Sequence, residues 1–370
     1  MQTDNDIYKE IRPYNDDEVS GAISRLIDDK EFITAILHYR FPLLSGIFGW
    51  LLTPIIKRFL VKKWSNVKTV KDVQYQVSKY MKGTIDHSCD GVTFSGLDKL
   101  DPNQAYLFVS NHRDIAMDPA MVNWCLFHDN YKTVRIAIGD NLLKKPCVTE
   151  LMRLNKSFIV KRSAKGPREM MKAIGLLSSY ITHSLETGNS IWIAQKEGRA
   201  KDGNDRTDPA ILKMFNMEGR KRKQPFPEFM ASLNIVPVAI SYENDPCDVA
   251  KANELYEKQT SGSYEKGEFE DIESIIQGIV GQKRHIHISF GDVITSSFDT
   301  PEELAEEIDR QITANYRLFP ANYIAAGIED ESVTEEEKAR FEEKLSALPA
   351  GVASILKNMY AYPALKKNNK

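Results

Sequence analysis

The sequence has few cysteines, and their arrangement predicts neither a metal site nor a disulfide framework. Four cysteines occur in 370 residues, far apart and without a Cys-x-x-Cys pair: Cys89, Cys125, Cys147 and Cys247. This spacing argues against zinc and structural disulfides and indicates a reducing compartment. The first six residues are polar and acidic, unlike a signal peptide. We therefore expect a cytoplasmic protein, or one that is peripheral on the cytoplasmic membrane face.

Several other common signatures are also missing from the sequence. It contains no Gly-x-x-x-x-Gly-Lys-Ser/Thr loop and no Gly-x-Ser-x-Gly elbow, so nucleotide hydrolysis and a serine acyl-enzyme lack their usual signals. The formal net charge is −3, which gives no globally basic surface. Nucleic acid is therefore not an expected partner, and any binding of phosphate must come from local basic clusters.

No apolar run is long enough to predict a membrane-spanning helix. The most apolar segment, 41–56, lacks charged residues but is interrupted by Pro54 and is shorter than the roughly 20 residues that a bilayer requires. Basic and aromatic residues follow it as far as Trp64. Segment 41–64 could lie in one leaflet with its cations at the headgroups. Alternatively, it is a buried helix pair that covers the catalytic region, and the sequence leaves both interpretations open.

From residue 92 onward, short apolar runs alternate with helical patterns. The predicted strands are Val92–Leu97, Gln104–Val109, Val134–Ile138, Ser157–Lys161, Ser190–Ala194, Ile235–Ile240 and His285–Phe290. This alternation predicts an α/β fold, with a mostly parallel or mixed sheet flanked by helices and an N-terminal helical region. We expect an N-terminal region at 1–88, an α/β domain at 89–325, and a C-terminal helix with a frayed basic tail at 326–370.

The most informative segment is Ser110-Asn111-His112-Arg113-Asp114-Ile115-Ala116-Met117-Asp118-Pro119, which follows a predicted strand. A histidine whose second ring nitrogen is held by a carboxylate can remove the proton of an alcohol that attacks an acyl carbonyl. Positions five or six apart do not share a helical face, so His112 must precede the helix. Asp118 is the favoured partner and Asp114 the alternative. Asp118 could equally be an N-cap before Pro119.

Two further segments place basic residues where predicted strands end, which is where ligands bind in α/β folds. One strand ends at Lys161-Arg162, and another runs into the loop Glu197-Gly198-Arg199-Ala200-Lys201. A glycine lets the backbone approach a ligand, and arginine and lysine donate hydrogen bonds to phosphate. Ordinary solvent-exposed strand ends and a charged loop remain the alternatives.

Together these segments resemble the motifs of the glycerolipid acyltransferases, in matching order over roughly residues 90–245. The first motif resembles His-x-x-x-x-Asp with one additional residue, and Leu142 to Arg162 resembles the second block. The loop at Glu197 is similar to Glu-Gly-Thr-Arg but is one residue shorter, and Ile235–Ile240 resembles the family's Ile-Val-Pro-Val-Ala strand.

The resemblance implies transfer of a fatty acyl group from acyl-CoA or acyl-acyl-carrier protein to 1-acylglycerol 3-phosphate in phospholipid biosynthesis. His112 and Asp118 would be catalytic, without metal or cofactor. The implied substrate-binding residues are Asn111, Arg113, Lys161, Arg162, Glu197, Gly198, Arg199 and Lys201. Glycerol 3-phosphate is the alternative acceptor, and a non-catalytic lipid-binding protein or peripheral membrane adaptor is the alternative outside catalysis. The membrane surface is an expected partner.

Overall fold

A computed structural model of the chain describes residues 6–41, 45–267 and 269–368. The start of the apolar run at 42–44 and the last two residues of the predicted tail lie outside the described residues. The strands are β1 (Cys89–Ser95), β2 (Leu107–Ser110), β3 (Arg135–Gly139), β4 (Ser157–Val160), β5 (Ile191–Ala194), β6 (Ile235–Tyr242) and β7 (Arg284–Phe290).

Helices occupy most of the remaining described chain. They are α1 (Asp16–Asp28), α2 (Lys30–Arg40), α3 (Ser45–Trp64), α4 (Val70–Ser88), α5 (Met117–His128), α6 (Pro146–Leu154), α7 (Pro167–Glu186), α8 (Pro209–Lys221), α9 (Phe226–Ser232), α10 (Asp248–Ser261), α11 (Glu270–Val280), α12 (Pro301–Asn315), α13 (Pro320–Ala326), α14 (Glu335–Ser346) and α15 (Ala350–Asn368). The protein is therefore mixed α/β, as predicted.

The chain divides into two compact units, of which the first contains residues 1–80 and 135–180. Its helices α1, α2, α3 and α6 share one apolar core, which includes Val19, Ile33, Leu60 and Leu154. The α1 residues in this core recur at helical spacing, as in Val19, Ala22, Ile23 and Leu26. Strands β3 and β4 pair in parallel in this unit.

The second unit, residues 81–134 and 181–370, contains five strands in the order β1-β7-β6-β2-β5. Strand β2 is parallel to both β5 and β6, β1 is parallel to β7, and β6 and β7 are antiparallel. Every residue of β2 and β6 is buried, which fits their continuous apolar sequences. The carboxyl ends of β2, β5 and β6 therefore lie at one edge of the sheet.

Helices α10, α13, α14 and α15 form a separate apolar cluster in the second unit. Helix α15 continues to Asn368, where Lys366 Nζ donates to the carbonyl of Asp205 (2.6 Å) and Lys367 Nζ to that of Tyr316 (2.7 Å). The frayed basic tail expected here is therefore not found within the described residues. The three-part division at 1–88, 89–325 and 326–370 stays a prediction.

Helix α3 carries both buried and exposed apolar side chains. Ile56 and Leu60 are in the core of the first unit, whereas Trp50 is 74% exposed, with Leu51, Ile55 and Phe59 also exposed. The buried residues agree with the expectation of a covered helix, and the exposed residues agree with that of a surface segment. Across the described part of the chain, no helix combines the length and apolarity needed to cross a bilayer.

Candidate active site

His112 is presented at the carboxyl end of β2 by a turn that is hydrogen-bonded to β6. The Asn111 side chain accepts from the backbone N–H of Ile240 (2.7 Å) and donates to the carbonyl of the same residue (3.0 Å). This two-point contact fixes the turn, because a buried amide needs partners for both ends. The His112 side chain is 13% exposed, so the ring retains some access to solvent.

The carboxylate of Asp118 contacts the same turn. Its Oδ2 is 2.8 Å from His112 Nδ1 and accepts the backbone N–H groups of Arg113 (2.6 Å) and Asp114 (3.0 Å). Helix α5 begins at Met117, so His112 precedes the helix and Asp118 is in its first turn. The N-cap of α5 is Ala116, so the alternative in which Asp118 is the N-cap is wrong. The Asp118 side chain instead accepts hydrogen bonds from the turn that precedes the helix.

Tyr242, the last residue of β6, completes the contacts of Asp118. Its buried hydroxyl donates to Asp118 Oδ1 (2.8 Å), so the carboxylate accepts four hydrogen bonds in all. Burial raises the pKa of Tyr242 well above its ordinary value, and the charge of Asp118 adds to the effect. Sequence reasoning missed this residue. In the sequence, the one feature that points to Tyr242 is its position just after the predicted strand Ile235–Ile240.

Trp192 of β5 forms the wall beside the histidine. The rings of His112 and Trp192 are 5.7 Å apart in an edge-to-face arrangement, and Trp192 Nε1 donates to Ser110 Oγ (3.0 Å). The indole N–H thus has a partner inside the protein. Because Ser110 and Trp192 belong to paired strands, sheet register sets the position of the indole beside His112.

The loop after β5 brings Arg199 to the same edge of the sheet. The backbone N–H of Ala200 donates to the carbonyl of His112 (2.9 Å), which ties the loop to the turn. Gly198 has φ of +77°, a conformation that favours glycine, and both Glu197 and Gly198 are exposed. Arg199 Nη2 donates to Ser274 Oγ (3.3 Å), while its buried Nη1 has no hydrogen-bond partner among the described residues.

Comparison with known protein families assigns the part of the chain that contains this site. Residues 91–241 match the family described as Acyltransferase. These residues form an acyltransferase domain. The match confirms the prediction of an acyltransferase, and with it the prediction of an enzyme.

Two other comparisons add little to this assignment. No curated protein shows significant similarity to the chain. A solved structure of the 1-acyl-sn-glycerophosphate (LPA) acyltransferase PlsC from Thermotoga maritima is similar at 12% identity and a TM-score of 0.41, covering 80% of this chain and 94% of that one. At this level of similarity the match supports no argument about substrate.

Lys201 of the acyltransferase domain is already ion-paired. Its Nζ contacts Glu254 of α10, and Glu254 also contacts Lys258. Burial lowers the pKa of Lys201 despite the opposing effect of Glu254. A phosphate bound by Lys201 would have to compete with this carboxylate. The predicted substrate-binding role of Lys201 therefore stays a prediction.

Asn111 and Arg113 have partners in the interior of the second unit. Both donate to Asp205 Oδ2, Arg113 from Nη2 at 2.7 Å and Asn111 from Nδ2 at 3.2 Å. Burial disfavours the charge of Arg113, but the combined attraction of Asp205 and of the other acidic groups nearby outweighs this effect, so the pKa of Arg113 is raised. Lys251 Nζ donates to the backbone carbonyl of Arg113 (2.7 Å). These contacts support the turn from behind, whereas the sequence predicted both residues as substrate-binding, a role that stays a prediction.

Asp114, the alternative partner of His112, has a different position. Its Oδ1 accepts the backbone N–H groups of Ala116 (2.9 Å) and Met117 (2.8 Å) at the start of α5. Its Oδ2 is buried and has no hydrogen-bond partner among the described residues. Burial raises the pKa of Asp114, and the nearby charge of Asp118 raises it further. The carboxylate in contact with the histidine is therefore Asp118.

Lys161 and Arg162 lie in the first unit of the acyltransferase. They follow β4, and the backbone N–H of Arg162 donates to Asp140 Oδ1 (3.0 Å). The same carboxylate accepts from Ser163 Oγ (2.5 Å), which joins the ends of β3 and β4 within this unit. Lys161 is exposed. The predicted substrate-binding roles of both residues stay predictions.

The histidines of β7 have local polar partners. His285 Nδ1 is 2.6 Å from Glu243 Oε2, and His287 Nδ1 is 2.8 Å from Thr93 Oγ1. Burial lowers the pKa of His287 to about 4, with a further contribution from Arg317. In the ranges that the structure describes, no group of three or more His, Cys, Asp or Glu side chains is arranged to hold a metal ion.

Proposed function

We propose that this acyltransferase moves a fatty acyl group from acyl-CoA or acyl-acyl-carrier protein to the hydroxyl of 1-acylglycerol 3-phosphate. The observation that carries the proposal is the contact between His112 Nδ1 and Asp118 Oδ2 at the edge of the sheet where β2 ends. An ionised carboxylate only accepts hydrogen bonds, so Nδ1 donates and Nε2 keeps its lone pair. A neutral imidazole in this tautomer is a general base.

In the proposed reaction, Nε2 of His112 removes the proton of the acceptor hydroxyl as its oxygen attacks the thioester carbonyl. The carbon–sulfur bond of the resulting intermediate then breaks, and the protonated ring returns the proton to the leaving thiolate. The products are an ester and a free thiol, so protons and electrons balance without a metal or another cofactor. Asp118 stabilises the ring while it is positively charged.

The other contacts of Asp118 support this role. Two backbone N–H groups and the Tyr242 hydroxyl fix the carboxylate, so its geometry is set before substrate binds. The edge of Trp192 against the His112 ring restricts the ring further. Such preorganisation is typical of a residue that acts in a reaction, and it would be unnecessary in a protein that only binds lipid.

Arg199 is the proposed ligand of the acceptor phosphate. Its buried Nη1 has no hydrogen-bond partner among the described residues, and its Nη2 contact with Ser274 is long. A guanidinium group donates to two phosphate oxygens at once, so a phosphate would satisfy both nitrogens. Gly198 and Glu197 would shape the exposed side of this site.

The exposed apolar side chains of α3 favour an acceptor that resides in a membrane. Trp50, Ile55 and Phe59 are exposed, and Lys57, Arg58, Lys62 and Lys63 belong to the same helix. Apolar residues beside cations suit a headgroup region. We therefore propose peripheral attachment to the cytoplasmic membrane face, and 1-acylglycerol 3-phosphate in preference to glycerol 3-phosphate.

The test is to supply acyl-CoA or acyl-acyl-carrier protein with glycerol 3-phosphate, with 1-acylglycerol 3-phosphate, or with neither, and to measure release of free thiol. We expect release only with an acceptor, and most with the 1-acyl form. Faster release with glycerol 3-phosphate would reassign the acceptor, and release without any acceptor would indicate a thioesterase. No release with either acceptor would support a lipid-binding protein or a membrane adaptor.

Two variants test the residue assignment. His112→Ala should lower acceptor-dependent release by about 10²–10⁴-fold, the usual contribution of a general base. His128→Ala is the matched control, because His128 is exposed at the end of α5, the helix that follows His112, and lies against the Trp124 carbonyl and the rings of Trp124 and Phe127. Equal rates for the two variants would refute the role of His112.

A further inference from the structure

Helix α11 has one face against the candidate active site. Ser274 Oγ accepts from Arg199 Nη2 (3.3 Å), and the Ser274 carbonyl accepts from Cys247 Sγ (3.5 Å). Ser274 and Gly278 are the buried residues of this helix, and they are four positions apart on one face. Helix α11 is therefore a wall beside the proposed phosphate-binding arginine.

The opposite face of α11 is apolar and open to solvent. Phe269, just before the helix, and Ile272, Ile276 and Val280 within it are each between 45% and 60% exposed. These positions lie roughly 120–160° around the helix axis from Ser274, at 100° per residue. We call these four side chains the outer stripe. A water-soluble surface does not require four large apolar residues in a row, so the stripe indicates contact with something apolar.

Three acidic side chains lie in the first turn of α11, and one of them is ion-paired. Glu270 accepts the hydroxyl of Tyr264 (2.7 Å), and Asp271 is ion-paired with Lys266. Glu273 is the remaining acidic residue of the first turn. The stripe is therefore apolar area flanked by net negative charge, which does not complement an acidic surface, whether of a protein or of an anionic bilayer.

The size of the stripe argues against a second protein molecule. Four half-exposed side chains provide roughly 120–240 Å² of apolar area, because complete burial of one such side chain is worth about 1.5–3 kcal/mol at about 25 cal/mol per Å². A stable protein interface needs about 800 Å² from each partner. Insertion into lipid has no such threshold, because each apolar side chain that enters the acyl region contributes separately.

We propose that the outer stripe of α11 contacts the surface of a phospholipid bilayer composed of zwitterionic lipids. The inference rests on the proposed function for the identity of this occupant, because a lipid acceptor whose phosphate reaches Arg199 is delivered from a bilayer. Helix α11 is in direct contact with Arg199 through Ser274. The acyl chains of that acceptor would leave the site beside this helix. Contact through the stripe depends on apolar area and is insensitive to salt.

The experiment places an environment-sensitive fluorophore on the stripe. Cys125, Cys147 and Cys247 are buried and Cys89 is half-buried, so a cysteine introduced on the surface can be labelled selectively. The full-length Ile276→Cys protein is labelled and mixed with phosphatidylcholine vesicles. Leu365→Cys is the matched control, because Leu365 is an exposed apolar residue of the same unit.

We expect vesicles to shift the emission maximum of the label at position 276 to shorter wavelength, and high salt to leave this shift unchanged. The emission of the label at position 365 should not shift. Unlabelled Ile276→Gln should bind phosphatidylcholine vesicles about tenfold more weakly than the wild type, while Leu365→Gln should not. The label reports contact of α11 itself, so binding through another part of the protein cannot mimic the result.

Three results would overturn the inference. The first is sedimentation with vesicles without a shift at position 276. The second is a shift that depends on protein concentration and not on lipid, which would indicate a second copy of the chain. The third is no binding to vesicles at all. Each measurement is independent of thiol release, so failure of the lipid contact and failure of the proposed activity are distinguishable.

Discussion

Gly278 of α11 lies directly against the carboxylate of Asp114. A β-carbon at position 278 would come within 2.1 Å of Asp114 Oδ2, closer than any real contact. Asp114 cannot easily move away, because its Oδ1 accepts two backbone N–H groups at the start of α5. The close approach of α11 to the candidate active site therefore depends on the absence of a side chain at position 278.

Replacing Gly278 with alanine should displace α11. We expect Gly278→Ala to lower the free energy of unfolding by about 1–3 kcal/mol, as for other overpacked sites. It should also weaken the contact between Arg199 and Ser274. Urea denaturation measures the first effect. The control is Gly83→Ala in α4, where a β-carbon meets no atom within 4 Å, so this variant should be up to about 1 kcal/mol more stable than the wild type. Equal stability of the two variants would contradict this packing.

Asp114→Asn should stabilise the protein at neutral pH. Burial raises the pKa of Asp114 in the folded state, so the wild type loses stability as pH rises from the ordinary carboxyl pKa through that raised value. Asparagine cannot ionise and keeps an oxygen for the N–H groups of Ala116 and Met117. Its advantage should therefore be largest at neutral pH and vanish below the ordinary carboxyl pKa. Thermal unfolding across pH measures this. Asp98→Asn, at an exposed position, is the control, and a pH-independent gain would count against the burial argument.

Tyr242→Phe should slow the reaction and alter its pH dependence. Loss of one hydrogen bond to a charged group costs about 1.5 kcal/mol, or roughly tenfold in kcat. Without the hydroxyl, more of the negative charge on Asp118 is available to the protonated ring of His112. The acidic limb of the pH–rate profile should therefore move to higher pH.

Tyr316→Phe is the matched control for this change. Tyr316 is a second buried tyrosine, and its ring lies 5.8 Å from the guanidinium carbon of Arg113. Tyr316→Phe should leave the pH–rate profile unchanged. If both variants lose activity equally and neither profile moves, Tyr242 has only a packing role.

Arg199→Gln should impair binding of the acceptor more than the chemical step. Loss of a charged hydrogen bond to phosphate weakens the binding free energy of the acceptor by about 1.5–3 kcal/mol. KM for the acceptor should therefore rise roughly 10–100-fold while kcat changes little. Steady-state kinetics with varied acceptor measure this. Arg310→Gln controls for loss of a positive charge, because Arg310 is exposed and paired with Glu307. A fall in kcat with unchanged KM would assign Arg199 to the transition state.

Much of the fold was predictable because local patterns determine it. Each predicted strand corresponds to an observed one within a few residues, for example Ile235–Ile240 to β6 (Ile235–Tyr242). The position of His112 outside a helix also followed from helical geometry. The boundary of α5 was less predictable, because Asp-Pro is a common helix start and the helix instead begins one residue before Asp118.

The contacts around the site were not predictable, because they join residues that are distant in sequence. Tyr242 reaches Asp118 across 124 positions, and Asn111 and Asp205 meet across 94. No periodicity or motif spacing records such pairs. Lys201 and Arg113 were both predicted as substrate-binding, a role that stays a prediction, and their ion pairs with Glu254 and Asp205 could not be read from the sequence.

Helix α15 has a consequence for how the protein is made. Lys366 donates to the carbonyl of Asp205 over 161 positions, and Asp205 in turn holds Arg113 beside the histidine. During translation the ribosome releases the catalytic turn long before it releases this lysine. A nascent chain can therefore build its sheet before α15 is made, and this part of the support behind the histidine forms only after α15 has left the exit tunnel.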